Sequence, residues 1–149
     1  IFINNVSFSK FIKHNFIKMI SSPSLLINKK KRNIKFHFDM WHGEGNLEKA
    51  INLLDVDERK DFNDFVEENV SFNPHNMFIC KSKETLKKYY ESVFPWLKRC
   101  EKEFGFENLD SYGKKRIYGF LAERYMPYWF KKYYKTSTMP ILFHDISEL

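Results

Sequence analysis

Four stretches of this sequence carry residue types that can do chemistry. "SYGKKRIYGFLAERY" places Tyr112, Arg116, Gly119 and Glu123 at steps of four, three and four, which puts them on one helical face. A carboxylate and a guanidinium on either side of a glycine notch suit a polar ligand that needs a base and a positive charge. A second reading stays open, in which the helix packs closely at Gly119 while Arg116 and Glu123 pair at its rim. "FNPHNMFICKSKE" opens a short apolar run with Pro74, His75 and Asn76, polar residues that need partners or a ligand to face. "HFDMWH" holds His37, Asp39 and His42, a density that can ligate a metal, although a solvated strand face accounts for it better. "DVD", Asp55 and Asp57, has the form of a divalent-ion motif, but it follows a helical pattern, and Asp57 is better read as a helix N-cap.

The elements that must position these residues read as a mixture of helices and short strands. Residues 8–20 have helical spacing, and "SLLIN" reads as a strand. Residues 34–40 alternate, with Ile34, Phe36, Phe38 and Met40 on one side, and predict a strand. Asn46 caps a helix over 47–54, and Asp57 caps another from 58 to about 68 with Phe62, Phe65 and Val66 inward. A strand follows at 76–81. The strongest helix spans 84–104 on the stripe Leu86, Tyr90, Val93, Leu97, Cys100 and Phe104, and Pro95 predicts a kink or break in it. A last helix starts after Asp110 and bends or ends at Pro127. Residues 136–149 read as an extended tail.

The totals bound the function. The 149 residues suit one domain, and 43% apolar content gives enough material for a core. A net charge of +6 favours anionic partners. Cys80 and Cys100 lack metal or redox spacing and are too few for a disulfide framework, which suits a reducing compartment. No apolar run is long enough to cross a membrane, and Lys10, Lys13 and Lys18 interrupt the start where a signal peptide would be apolar.

Four segments together bring out a likeness. "SLLINKKKRN", "WHGEGNLEKAINLL", "NPHNMFICKSKETLKKYYESVFPWLKRCEKEF" and "KRIYGFLAERYMPYWF" occur in an order that resembles a bacterial glycosyltransferase family long catalogued as a domain of unknown function and found in capsule, exopolysaccharide and lipopolysaccharide clusters. The likeness covers about residues 8–135; its most specific parts are "NMFI" with the helix behind it and "R-x-x-G-F-x-x-E-R". It implies a helix-rich α/β fold, the carboxyl-terminal part of a GT-A-like nucleotide-sugar transferase domain, with short mixed strands covered by amphipathic helices. It implies Glu123 as the catalytic carboxylate, and His42, His75, Asn76, Met77, Arg116, Gly119 and Arg124 as substrate-binding positions. The "FHFDMWHG" segment departs from the family's pattern, so no role is assigned to Asp39.

The resemblance also implies partners: a nucleotide-sugar donor, a glycan acceptor and peripheral contact with the inner face of the membrane. It implies Mn²⁺ or Mg²⁺ in a full-length enzyme, without a ligand set in this chain, and a cytoplasmic setting. The family's donor-binding strands precede the "LLIN" strand, so the isolated chain is expected to be catalytically silent. A reading from another class is a basic, non-catalytic module that docks on anionic membrane or nucleic acid through Lys29, Lys30, Lys31, Arg32 and the lysines Lys10, Lys13 and Lys18; nucleic acid is not expected under the enzyme reading.

Overall fold

Asn33 starts the first of the described helices. In the computed structural model, which describes residues 2–4, 32–106 and 111–139, its Oδ1 accepts from the Phe36 amide at 2.8 Å, satisfying a donor that the helix start leaves open. Helix α1 runs Ile34–His42 and buries Ile34, Phe38 and His42. The expected strand over 34–40 is therefore corrected. Ile34 and Phe38 satisfy both a period of two and a step of four. The Asn33 cap, the left-handed Gly43 (φ 100°) at the other end and His42 one further turn along decide for the helix. Phe36 and Met40, expected inside, are 39% and 43% exposed.

Gly45, left-handed at φ 77°, begins helix α2 (Asn46–Asn52), whose Leu47, Ala50 and Ile51 turn inward. Asn46, expected as its cap, is its first residue. The Asn46 side chain instead donates to the His42 carbonyl at 2.8 Å and closes the end of α1. Helix α3 (Val56–Glu68) has Asp55 at its N-cap, not Asp57, and Asp57 lies in the first turn, where negative charge meets the positive end of the helix. Glu58, Phe62 and Val66 are its buried stripe, with Phe65 partly buried beside them.

Strand β2 is only Phe78–Ile79, shorter than the expected 76–81. Helix α4 (Lys83–Phe104) then runs unbroken through Pro95, capped by Ser82, whose Oγ accepts from the Thr85 amide at 3.2 Å. Proline removes one amide donor, and here its ring sits on the exposed side while the opposite face is anchored. The buried stripe is Thr85, Tyr89, Val93, Trp96 and Cys100, one residue away from the expected one at most positions. Trp96 Nε1 donates to the Ala50 carbonyl at 2.7 Å and Arg99 Nε to the Leu53 carbonyl at 2.6 Å, so α4 closes the end of α2. Tyr90 and Phe94 stay outside at 40% and 57% exposure.

The expected single helix after Asp110 divides at Arg116 (φ −110°, ψ 16°) into α5 (Tyr112–Lys115) and α6 (Ile117–Tyr133). Helix α6 does not end at Pro127. All eight residues from Glu123 to Phe130 are buried, and a helix buried on all sides is a core element held by its surroundings. Phe62 meets Trp96, Tyr125 and Tyr128 at ring separations of 5.9, 5.5 and 5.0 Å. The Tyr125 hydroxyl donates to Glu58 Oε2 at 2.6 Å and Tyr133 to Oε1 at 3.1 Å, which binds α3 to α6.

Strand β1 (Phe2–Asn4) pairs antiparallel with β2 and parallel with β3 (Ser137–Met139), giving the order β2-β1-β3. Phe78 of β2 packs on Tyr89 and Phe130 at 5.5 and 4.7 Å, so helices cover the sheet there. The fold is helix-rich with short mixed strands. The expected helix 8–20 and the "SLLIN" strand lie outside the described residues, as does the tail beyond Met139.

Candidate functional site

The chemistry-bearing residues gather where α1, α5, the start of α6 and the Pro74–Met77 corner meet. Two successive residues of the corner, His75 (φ 74°) and Asn76 (φ 50°), are left-handed. Side chains adopt this conformation at a cost of about 1–2 kcal/mol per residue, and such strain concentrates at functional positions. Asn76 Nδ2 donates to the Gly119 carbonyl at 3.1 Å, which holds the corner on α6. The His75 side chain is exposed and takes no hydrogen bond among the described residues. Met77 is 44% exposed.

Gly119 is an open notch, for a Cβ built there meets no atom within 4 Å. The reading in which the helix packs closely at this glycine is thereby set aside. The tight glycine is Gly113 in α5, where a Cβ would stand 2.3 Å from the Trp41 carbonyl oxygen and 3.0 Å from His42 Nδ1. That close approach docks α5 on the end of α1. His42 is buried, with Nδ1 3.2 Å from the Gly113 carbonyl and its ring stacked on Phe120 at 4.2 Å. Burial, reinforced by Arg124, lowers its pKa to about 4. His42 thus supports the site from behind.

One turn after Gly119 stands Glu123, 9% exposed. Its Oε2 receives Arg124 Nη1 at 3.1 Å. Arg116 does not pair with it. The Arg116 guanidinium is exposed, hydrogen-bonded to the Tyr112 hydroxyl, and lies over the Tyr112 and Phe120 rings at 5.2 and 5.5 Å. Arg124 is 2% exposed and caged by Phe38, Phe72 and Phe120 at 5.3, 4.4 and 5.8 Å. It also donates to the Phe120 carbonyl at 3.1 Å and lies 3.2 Å from His37 Nδ1. Burial brings the Arg124 pKa down to about 10. A guanidinium so enclosed acts on Glu123 and not on a ligand in solvent.

The expected positions thus separate into a wall open to solvent (His75, Asn76, Met77, Arg116, Gly119 and the edge of Glu123) and a buried support (His42, Arg124). Sequence reasoning missed the supporting role of His37 and the aromatic cage of Phe38, Phe72 and Phe120. Phe120 could have been found from its position four residues after Arg116.

A family model described as a domain of unknown function, DUF4422, matches residues 4–135. The chain belongs to the DUF4422 family. No curated protein and no solved structure matches it. The DUF4422 match spans every residue of the wall and its support. Among the described residues no three His, Cys, Asp or Glu side chains converge to hold a metal. Helix α1 turns His37 to Arg124 and His42 to Gly113, and Asp55 is paired with Arg99 at 3.2 Å while Asp57 lies in the α3 helix. Neither "HFDMWH" nor "DVD" fits a divalent ion. No helix among the described residues is long and apolar enough to cross a membrane.

Proposed function

We propose that the chain is the acceptor-side portion of a GT-A-like glycosyltransferase, one that uses a nucleotide-sugar donor to extend a surface polysaccharide at the cytoplasmic face of the membrane. The observation that carries this reading is the wall on α6: a shielded carboxylate, Glu123, one turn from an open glycine and beside a left-handed polar corner tethered to that glycine. Glu123 takes the proton from an acceptor hydroxyl, the hydroxyl oxygen bonds to the anomeric carbon, and the nucleoside diphosphate leaves with the bond electrons. His75 and Asn76 hydrogen-bond the acceptor's other hydroxyls over the Gly119 notch. Arg116, exposed and steadied by two rings, offers positive charge to the leaving diphosphate. No step runs through a metal.

Donor turnover tests the reading, measured with a panel of nucleotide sugars and saccharide acceptors on the longest natural protein that contains the chain. Glu123→Asp keeps the charge beside Arg124 and withdraws the carboxylate by one methylene. The expected loss of transfer is about 10²-fold, the lower range for a displaced general base. Wild-type turnover in that variant would remove Glu123 from the mechanism.

A further inference from the structure

Among the described residues, the Arg124 guanidinium is a deeply buried cation with an incomplete set of partners. A buried cation is costly unless it is paired and hydrogen-bonded, yet its Nε is buried without a partner, and the carboxylate bonded to it is that of Glu123, from the adjacent position on the same helix. Its other terminal nitrogen is directed at an imidazole on a different helix. A guanidinium has five N–H donors and no acceptor. The His37 Nδ1 that faces it at 3.2 Å must therefore be an unprotonated acceptor, which leaves the imidazole proton on Nε2.

We infer that Glu123, Arg124 and His37 act as one relay in which Arg124 is a positioning residue: it fixes one oxygen of Glu123 and fixes His37 as the Nε2–H tautomer. The functional meaning rests on the reading of Glu123 as the carboxylate that meets an acceptor hydroxyl. Oε2 is engaged by Arg124, while Oε1 takes no hydrogen bond among the described residues, and the side chain keeps 12% exposure. One oxygen is held and the other is left to a ligand. The cage of Phe38, Phe72 and Phe120 keeps the guanidinium from swinging out to solvent. Arg124 Nη1 also bonds the Phe120 carbonyl one turn back, which fixes the guanidinium to its own helix. His37 then ties that helix to α1. Burial, with Arg124 and His42 nearby, holds the His37 pKa down at about 3, so the imidazole stays a neutral acceptor at working pH.

Nitrogen-15 NMR of the histidines in the full chain tests the relay without any assay of sugar transfer. In the wild type, His37 is expected to show an unprotonated Nδ1 and a protonated Nε2, unchanged from pH 8 to pH 5. A proton on Nδ1, or an imidazolium at pH 6, would overturn the assignment. In Glu123→Asp the guanidinium follows the shortened carboxylate, so the His37 signals are expected to shift toward a tautomer mixture although residue 123 does not touch His37. Unchanged His37 signals in that variant would show that the two ends are not coupled. Should Glu123→Asp fail to fold, the wild-type spectrum alone still decides the tautomer. Should sugar transfer prove absent while both spectra behave as stated, the relay stands and the enzymatic reading falls.

Discussion

Asn76 and Gly119, 43 residues apart in the chain, are joined by a 3.1 Å hydrogen bond from the asparagine side chain to the glycine carbonyl. That bond holds a strained corner against the turn that precedes Glu123. Asn76→Ala loses the bond and puts a less tolerant residue at φ 50°. It should cost about 1–2 kcal/mol, from a hydrogen bond of roughly 1 kcal/mol and the left-handed penalty. Asn76→Gly keeps only the first loss and should be the milder variant. Urea unfolding checks the order; a glycine variant less stable than the alanine variant would contradict it.

At the neighbouring position the direction reverses. His75 has φ 74° and an exposed side chain, so His75→Gly should relieve strain and raise stability by up to about 1 kcal/mol after the glycine entropy cost. His75→Val should lower it. A destabilised glycine variant would mean that the imidazole makes contacts that hold the fold.

The two glycines of the site should answer oppositely to alanine. Gly113→Ala drives a Cβ to 2.3 Å from the Trp41 carbonyl and should cost about 1–3 kcal/mol, as overpacking does. Gly119→Ala meets open space in a helix and should gain about 0.5–1 kcal/mol. Thermal melts of the pair separate the two glycines.

Removing one partner of the buried pair should be severe. Glu123→Gln leaves the Arg124 charge, 2% exposed, without its carboxylate, a change that costs about 3–5 kcal/mol in buried pairs. Loss of activity in that variant would confound stability with chemistry, which is why Glu123→Asp is the better probe. A Glu123→Gln protein that melts with the wild type would show that the Arg124 charge has another counterpart.

Acid should loosen the fold early. His37 and His42 have folded pKa values of about 3 and about 4, below their ordinary 6.5. Between those limits the unfolded chain binds protons that the native chain refuses, so stability is full above pH 6.5 and declines as pH falls. Each histidine contributes a slope of up to about 1.4 kcal/mol per pH unit. Chemical denaturation at pH 7 and pH 5 should show the decline, and a His37→Gln, His42→Gln variant should flatten it. An equal decline in the double variant would place the effect elsewhere.

The parts of this molecule legible in its sequence were those where local signals agree. Helix α3 and the extent of α4 follow from step-four and step-three patterns, and the spacing of Gly119 and Glu123 put both on the α6 wall. Residues 34–40 misled because their apolar residues satisfy two periods at once, and only the cap at Asn33 and the partner at Gly113 choose between them. The prolines misled because a buried or anchored helix tolerates the loss of one amide bond. The stripe of α4 shifted because aromatics border both sides of it, and the Trp96 bond to Ala50 sets which side turns inward. Pairing of Glu123 with Arg124 rather than Arg116 depends on the break at Arg116, which no local pattern announces.

Saturation-transfer NMR on the 149-residue chain, with nucleotide sugars and simple saccharides as probes, compares the wild type with Gly119→Leu most directly. Gly119 is exposed in a helix, with open space at its Cβ, so leucine keeps the fold while filling the notch. The wild type is expected to saturate sugar protons, and Gly119→Leu to lose that saturation. Equal saturation in both proteins, or none from the wild type, would contradict a sugar-binding wall at Gly119 and Glu123.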